Sequence, residues 1–327
     1  MILVTGGAGY IGSHTVKLLL ETGHKVVTFD NLELGHRKAI LGGEIFEGDL
    51  MNIEDLDRAF DHYAIDAVVH FAAYASVPDS VANPDKYFKN NIIGSLNLIN
   101  AMNAHGVRKI IFSSSAATYG EPKYIPIDED HPKDPTNPYG LTKLQFEHIL
   151  HWYDVAYGIK SISLRYFCAA GADPGGAIGE DHDPEHHLIP VVLLTALGQR
   201  PSVKVFGTDW DTPDGTCIRD FIHVTDLADA HLLALKALGN GAETTAYNLG
   251  NGDGQSVMQV IKAAEEVTGR KVPWEAAPRR PGDPARLVAS SEKLKKELGW
   301  KPKFPELHKI METAWRWHTS HPNGYGE

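Results

Sequence analysis

The sequence predicts a doubly wound α/β fold, with a parallel sheet covered by helices on both faces and a smaller C-terminal α/β domain. Apolar runs of strand length alternate with amphipathic segments of helix length through the first half of the chain. After Cys168 the composition shifts toward Gly, Pro, Asp and His, which suits a crossing into a second layer. We therefore expect a first domain at 1–167 and a smaller one at 168–327, with segments near 218–249 able to return to the first.

The opening segment combines a strand, a glycine turn and a helix. An apolar run at 2–4 leads into the turn, and a second buried strand at 26–29 ends in Asp30. The glycines follow at a spacing of three: Gly6, Gly9 and Gly12. They permit close backbone approach, while the helix N-terminus directs free N–H groups at a pyrophosphate. Asp30 can bind a ribose 2′-hydroxyl and would repel a 2′-phosphate, so the segment predicts a Rossmann-type site that prefers NAD to NADP.

The remaining elements follow the same alternation. Periodicity predicts strands at 44–49, 67–73, 109–115, 160–167, 203–206, 218–224 and 247–249. It predicts helices from Asn52, at 84–105, from Pro138, at 226–238 and at 257–268. Strands that alternate with helices at this pace indicate a parallel sheet, whose ligands bind at the carboxyl ends of the strands.

Bulk properties exclude several classes of function. A formal net charge of −11 argues against nucleic-acid and anionic-membrane partners, since both require a positive surface. The two cysteines cannot form a disulfide framework and fit a reducing compartment. The first strand begins at residue 2 and no apolar run approaches membrane length, so we expect a cytoplasmic protein without a signal peptide.

Tyr139 and Lys143 form a candidate proton-transfer pair. Four residues apart on a predicted helix, they share one face, and a nearby ammonium stabilises a phenolate. Such pairs are also common on exposed helices. Here the run Ser113, Ser114 and Ser115 ends a strand at the same sheet edge as the nucleotide loop, and a hydroxyl there can bind a substrate oxygen. This context favours chemistry over an ordinary surface pair.

The histidines raise the question of a metal. Seventeen are present, and His182, His186 and His187 lie close to Asp181 and Asp183 in the sequence. The spacing of a structural zinc site with histidine and cysteine ligands is missing, and hydride chemistry needs no metal. The sequence therefore predicts no metal site.

These motifs give the chain a family resemblance. It resembles the extended short-chain dehydrogenase/reductases and, among them, the UDP-glucose 4-epimerase (UDP-galactose 4-epimerase) family. The similarity spans essentially the whole chain. The motifs that carry it are residues 5–14 (TGGAGYIGSH), 113–115 with 119–120, 137–143 (NPYGLTK), 164–167 (LRYF), 215–224, 247–250 (YNLG), 279–283 (RRPGD) and 321–325 (HPNGY).

The resemblance implies an activity and its catalytic residues. Tyr139 would take the proton of the sugar 4′-hydroxyl while hydride passes from C4 to a tightly bound NAD that is regenerated in each turnover. Lys143 would hold the nicotinamide ribose and lower the pKa of Tyr139, and Ser115 would hydrogen-bond the 4′-oxygen. The 4-keto sugar would then rotate and be reduced on its other face. The family also pairs helices corresponding to 84–105 and 138–156 into a homodimer.

The resemblance further implies two sets of binding residues. Those expected around NAD are Gly6, Gly9, Tyr10, Ile11, Gly12, Asp30, Asn31, Asp49, Leu50, Phe71, Ala72, Ala73, Asn90, Ser113, Tyr139, Lys143 and Tyr166. Those expected around the UDP-sugar are Ser115, Tyr139, Cys168, His187, Leu188, Phe206, Arg219, Arg280, Asp283 and Leu287. Two guanidiniums can neutralise a diphosphate, and a carboxylate can accept bonds from a ribose diol.

Several positions depart from the family pattern. Cys168 and His187 stand where asparagines are usual, Ala75 where some members have lysine, and Ala117 where threonine is usual. Leu287 takes the position at which a bulky tyrosine excludes N-acetylated sugars in some members and a small residue admits them in others. Leucine is intermediate in size, so the sequence leaves this specificity open.

Three alternatives are weighed against the 4-epimerase. Sugar-nucleotide 4,6-dehydratases and decarboxylases need an acidic residue just after the strand-end hydroxyl, whereas Ser115 is followed by Ala116, and simple reductases fit less well. A non-catalytic NAD-binding scaffold would have no need of Tyr139 or Lys143. An epimerase for UDP-GlcNAc and UDP-GalNAc, or for a UDP-pentose, is the main competing interpretation.

Overall fold

A computed structural model describes residues 1–280 and 282–326. The strands are β1 (Ile2–Thr5), β2 (Val26–Asp30), β3 (Glu44–Glu47), β4 (Ala67–His70), β5 (Lys109–Ser115), β6 (Lys160–Tyr166), β7 (Cys168–Ala170), β8 (Val203–Phe206), β9 (Ile218–Arg219), β10 (Phe221–His223), β11 (Thr245–Leu249), β12 (Gln255–Ser256), β13 (Trp274–Ala277) and β14 (Arg286–Leu287). The helices are α1 (Tyr10–Glu21), α2 (Ile53–His62), α3 (Val77–Ala82), α4 (Pro84–Tyr87), α5 (Gly94–Ala104), α6 (Pro138–Tyr157), α7 (Leu188–Ala196), α8 (Val224–Gly239), α9 (Val257–Thr268), α10 (Glu292–Leu298) and α11 (Leu307–Ser320).

A seven-stranded parallel sheet forms the centre of the fold. Its strand order is β3-β2-β1-β4-β5-β6-β11, and each neighbouring pair runs in the same direction. The chain proceeds outward from β1 to β3, then returns and proceeds the other way from β4 to β6. The crevice between β1 and β4 is therefore the topological switch point, where ligands of such sheets bind. The predicted doubly wound fold is confirmed.

Helices bury both faces of this sheet. On one face, Val4 and Val16 pack with Leu227 and Leu235, which brings α1 and α8 together over the strands. On the other face, the central strands pack against α2, α5 and α6. The buried side chains of that second layer include Leu3, Leu56, Leu98, Met102 and Phe146. Because both faces of the sheet are buried, the sequences of its strands are nearly continuous apolar runs.

The second half of the chain contributes to two layers. β11 pairs with β6 at the edge of the main sheet, in the register Tyr247 to Leu164. A separate apolar cluster joins α7, α9 and α11, with buried side chains such as Val192, Val260 and Met311. Short strands complete this layer: β7 pairs with β10, β8 with β13, and β9 with both β12 and β14.

Two predicted elements are interrupted. The helix predicted at 84–105 is α4, a π-helical turn at Phe88–Ile93 and α5. The strand predicted at 218–224 is divided into β9 and β10, which pair with different partners. The buried carboxylate of Asp220 lies between them and accepts hydrogen bonds from the backbone N–H groups of Asn251, Gly252 and Ala289. These hydrogen bonds to the Asp220 side chain take the place of a continuous backbone ladder. The pattern of apolar residues does not predict them.

Among the residues that the structure describes, no helix is both long and apolar enough to cross a membrane.

Candidate active site

The carboxyl ends of the central strands bring the predicted groups to one edge of the sheet. β1 ends at Thr5 just before the glycine turn, and β2 ends at Asp30. β5 ends at Ser115, and β6 ends at Tyr166. Because the strands are parallel and adjacent, all of these ends lie on the same side.

The glycine turn is packed too tightly for side chains at Gly6 and Gly12. Gly6 has a φ of +70°, and a Cβ built on it would lie 2.5 Å from the backbone nitrogen of Ala72. A Cβ on Gly12 would lie 2.1 Å from the carbonyl oxygen of Gly6. Helix α1 follows directly, with Gly9 as its N-cap residue. The chain thus offers bare backbone and a helix N-terminus to a pyrophosphate, which fits the predicted NAD.

Asp30 is held rigidly beside this turn. Its side chain is buried, one oxygen accepts the N–H of Ala8 at 2.9 Å, and the other accepts the N–H of Leu32 at 2.9 Å. Burial raises the pKa of this carboxyl, and the two N–H donors work against the rise. Each carboxylate oxygen retains further acceptor capacity for a ribose hydroxyl. Next to it, the Asn31 amide donates to Asp49 at 3.1 Å, which places these two predicted residues together.

Other residues predicted to line the cofactor channel also lie at this edge. The N–H groups of Phe71 and Ala72 both donate to the carbonyl of Thr5, so the segment after β4 lies across the end of β1. The Ser113 hydroxyl is hydrogen-bonded to the Tyr166 hydroxyl. The remaining members have these positions: Ala73 follows Ala72, Leu50 is buried after β3, and Asn90 lies in the π-helical turn.

Helix α6 carries the candidate catalytic pair. The helix begins at Pro138, and the side chain of its N-cap residue Asn137 accepts the N–H of Gly140 at 2.8 Å. The Lys143 ammonium is buried and donates to the carbonyl of Ser113 at 2.8 Å. The same nitrogen lies 5.7 Å from the centre of the Tyr139 ring. Lys143 of α6 therefore lies close to both Ser113 of β5 and Tyr139 of α6.

Burial controls the protonation of this pair. It raises the pKa of Tyr139, and a hydrogen-bonding interaction with Ser115 offsets only part of the rise. It also lowers the pKa of Lys143 to about 7, against the opposing attraction of Glu147. The sequence analysis expects Lys143 to lower the pKa of Tyr139, whereas the net direction in this arrangement is upward. The cause is desolvation of the phenol, which the residue spacing does not reveal.

A buried ion pair between Glu147 and Arg165 lies close to Lys143. Glu147 lies one helical turn beyond Lys143, accepts the Ser114 hydroxyl at 2.5 Å and pairs with Arg165 of β6, whose Nε lies 2.8 Å away. The Arg165 guanidinium also donates to the Tyr119 hydroxyl at 2.9 Å. Sequence reasoning missed this network, although the spacing of Tyr139, Lys143 and Glu147 at four-residue intervals places all three on one face of α6.

Residues predicted to bind the UDP moiety form two groups. Arg219 lies 3.6 Å from Asp283 and donates to the Pro284 carbonyl at 2.9 Å, so this guanidinium holds the 283–284 loop. The Arg280 guanidinium stacks over the Phe206 ring at 3.7 Å from its centre. Each group thus combines one arginine with a predicted partner, and both guanidiniums keep N–H groups for an anionic ligand.

The remaining predicted substrate residues surround these groups. Cys168 and Leu188 pack against the same apolar cluster, and burial raises the pKa of the Cys168 thiol to about 11. Leu287 packs against a small buried group that includes Ala116, the residue after Ser115. His187 is 57% exposed in its side chain and is the N-cap residue of α7.

His187 belongs to a second cluster that the sequence analysis did not foresee. Glu180, His182, Glu185 and His187 each offer one ligand atom, and these atoms all lie within 4.8 Å of one another. In the sequence, His182 and His187 lie close to Asp181, Asp183 and His186. The structure instead brings in the two buried glutamates, and His186 is exposed outside the cluster.

Comparison with known proteins gives consistent matches over the full chain. Residues 2–250 match the NAD dependent epimerase/dehydratase family. A UDP-glucose 4-epimerase of Halalkalibacterium halodurans is 55% identical over 99% of this chain and 97% of its own length. A crystal structure of a UDP-glucose 4-epimerase superposes with a TM-score of 0.98 at 52% identity, covering 100% of this chain and 99% of that one. The Bifidobacterium longum enzyme in complex with NAD⁺ and UDP gives a TM-score of 0.94 at 40% identity, with 99% of each chain covered.

Replacing Lys143 tests the cost of its burial. Because the pKa of Lys143 falls from 10.5 to about 7 on folding, the native protein pays for desolvating the ammonium at all pH values below about 7. With both proteins stripped of bound nucleotide, we expect Lys143→Met to raise the free energy of unfolding at pH 6.5 by on the order of 3–5 kcal/mol. The gain should shrink as the pH rises from 7 toward 10.5, since the lysine is then neutral in both states.

Urea unfolding at pH 6.5 and 9.5 measures this effect, and Lys236→Met, at an exposed lysine of α8, is the control. A Lys143→Met protein that is less stable than wild type at pH 6.5 would contradict the lowered pKa of Lys143. So would an increase in the free energy of unfolding that does not depend on pH.

Proposed function

The chain belongs to the NAD dependent epimerase/dehydratase family, among the UDP-glucose 4-epimerases, and on that premise we propose that it interconverts UDP-glucose and UDP-galactose with a resident NAD. The observation that carries the residue-level proposal is the meeting of Ser115, Tyr139 and Lys143 at the carboxyl edge of the sheet, beside the glycine turn. Gly6, Gly9, Gly12 and Asp30 would hold NAD, which would supply reversible hydride transfer at C4 of the sugar.

The protein's own groups handle the proton and the oxygen. The Tyr139 phenol would take the proton of the 4′-hydroxyl as the carbonyl forms and give it back as the alcohol re-forms. Ser115, which interacts with Tyr139, would orient the 4′-oxygen. A charged Lys143 would favour the phenolate, and its pKa of about 7 allows it to be charged at or below neutral pH.

Anchoring of the nucleotide part leaves the sugar free to turn. Arg219 and Arg280 would neutralise the diphosphate, and Asp283 would accept hydrogen bonds from the uridine ribose. A ring that is bound mainly through its diphosphate can present either face to the same C4 position. Epimerisation requires that freedom, whereas a simple dehydrogenase would release an oxidised product.

Replacing the proposed base tests the mechanism. Purified protein incubated with UDP-galactose should form UDP-glucose, followed by NMR, without net formation of NADH. Tyr139→Phe should lower turnover by about 100-fold or more, because a positioned general base contributes at least that much. Tyr157→Phe, at an exposed tyrosine on the same helix, should leave turnover unchanged. No UDP-glucose from the wild-type protein, or full activity in Tyr139→Phe, would refute the proposal.

Leu287 keeps a second substrate specificity open. Its side chain packs against a small buried cluster that includes Ala116, the residue after Ser115. A residue at this place limits the room beside the sugar, and leucine is smaller than the tyrosine that excludes N-acetyl groups. An enzyme for UDP-GlcNAc and UDP-GalNAc is therefore the second candidate, and it would use the same Ser115, Tyr139 and Lys143.

Substrate competition separates the two candidates. With equal concentrations of UDP-galactose and UDP-GalNAc, we expect a higher kcat/KM for UDP-galactose. Leu287→Tyr should reduce any turnover of the acetylated sugar by at least about 10-fold, since even a small misfit in a pocket costs that much. A preference for UDP-GalNAc in the wild-type protein would favour the second candidate.

The exposed side of α6 supports a further proposal, that the enzyme works as a homodimer. Trp152 and Val155 lie three residues apart on this helix, and each is 65% exposed. Ile93 of the adjacent π-helical turn is also exposed. Burial of these side chains in an interface with a second copy of the chain would remove apolar surface from water.

A reducing compartment such as the cytoplasm would suit the free thiols of Cys168 and Cys217.

Light scattering tests the association. We expect a mass of about twice the chain mass of 35.9 kDa, and we expect Trp152→Glu with Val155→Glu to yield the single-chain mass by placing charges in the interface. A single-chain mass for the wild-type protein would contradict the proposed dimer.

A further inference from the structure

The segment 180–187 builds a compact set of metal-type ligands, of which only His187 has a place in the proposed substrate site. Glu180 and Glu185 are buried, with 4% and 7% of their surface exposed. Their ion pairs within the described part of the chain are with His182 and His187. Two buried carboxylates that contact the same two histidines require a compensating positive charge.

The distances between these groups match the spacing of ligands around a small cation. His182 Nδ1 lies 3.3 Å from Glu180 Oε1 and 3.4 Å from Glu185 Oε2. His187 Nδ1 lies 3.0 Å from Glu180 Oε1 and 2.9 Å from Glu185 Oε1. Tetrahedral zinc with bonds of about 2.0–2.1 Å holds its ligand atoms about 3.3–3.4 Å apart. Since ligand atoms of all four side chains lie within 4.8 Å of one another, small side-chain movements would admit the ion.

The cluster is also preorganised and accessible. The Trp317 indole N–H donates to the backbone carbonyl of Glu180 at 3.0 Å, and Arg200 donates to that of Glu185 at 2.9 Å. His182 Nδ1 is shielded from water and makes no hydrogen bond of normal geometry. The two glutamates and His182 line a cavity of about 420 Å³ that provides a route of entry. Fixed backbone and two imidazole nitrogens that face two carboxylates favour binding of an ion.

We propose that Glu180, His182, Glu185 and His187 bind one divalent transition-metal ion of the zinc type. Two imidazole nitrogens and two carboxylate oxygens are a ligand set that Zn²⁺ accepts in tetrahedral geometry. Two carboxylates balance the charge of the ion, so the site is neutral with both imidazoles neutral. This site departs from the expectation of no metal drawn from the sequence, and it does not rest on the proposed epimerase activity.

The metal would fix the segment between two parts of the active site. The His182 ring lies 6.2 Å from the Tyr10 ring at the start of α1, and His187 precedes α7. Because Nδ1 of His187 faces the carboxylates, Nε2 is the nitrogen that can reach a substrate phosphate. The ion would therefore position His187 and leave Nε2 for the substrate contact that the family resemblance implies.

Cobalt binding to the tag-free protein tests the site. The full-length enzyme, dialysed against a chelator, is titrated with Co²⁺ alone while the visible absorption of tetrahedral cobalt is recorded, and Zn²⁺ is then added. We expect one Co²⁺ per chain, displaced by one Zn²⁺. His182→Gln and, separately, Glu185→Gln should weaken binding by at least about 100-fold, since loss of a ligand costs no less than loss of its supporting contacts. His186→Gln, at the exposed neighbouring histidine, should bind like wild type.

Two results would overturn the proposal: no tetrahedral cobalt spectrum in the wild-type protein, or equal binding in wild type, His182→Gln and Glu185→Gln. Circular dichroism of each variant shows whether it is folded, and Glu185→Gln decides the matter if His182→Gln is not. Since the readout is metal binding, a failure here leaves the epimerase proposal untouched, and a failure of that proposal leaves this one intact.

Discussion

A buried ammonium beside the reaction centre is the constraint on which the candidate active site depends. Lys143 is enclosed by β5 and α6, and desolvation alone would favour its neutral form. The carbonyl of Ser113 accepts a hydrogen bond from the ammonium, and the carboxylate of Glu147 stabilises its charge. Glu147 is in turn held by Arg165 on the next strand. The ion pair thus fixes the helix to the sheet and keeps the lysine close to a pKa at which it can change its charge.

The parallel sheet explains why such a site can be assembled from distant segments. Residues from β1, β2, β5 and β6 reach one edge because every strand points the same way, and the switch point opens a crevice between β1 and β4. The glycine turn provides close backbone approach at that crevice, while α6 lays its catalytic face across the ends of β5. The second half of the chain then contributes arginines, with Arg219 tied to Asp283 and Arg280 stacked on Phe206.

Much of this arrangement could be predicted from local pattern, because a period of about four residues fixes which side chains share a helix face and apolar runs fix the buried strands. Tyr139 with Lys143, and Asp30 after its strand, follow from such rules. Long-range polar contacts do not. Such contacts depend on how distant segments fold against one another, and no periodic pattern in the sequence predicts them. Examples are the separation of β9 from β10 at Asp220, the Glu147–Arg165 pair and the contact of Glu180 with His187. The raised pKa of Tyr139 likewise depends on burial rather than on its neighbour in sequence.

The central claim is that hydrogen leaves C4 and returns to the same carbon within one closed site. UDP-galactose carrying deuterium at C4 of the sugar tests it most directly, with the reaction run in ordinary water and the product examined by NMR and mass spectrometry. We expect UDP-glucose to retain the deuterium at C4. Replacement of that deuterium by solvent hydrogen would mean that C4 loses a proton rather than a hydride, and would contradict the roles assigned to Tyr139 and to the glycine turn.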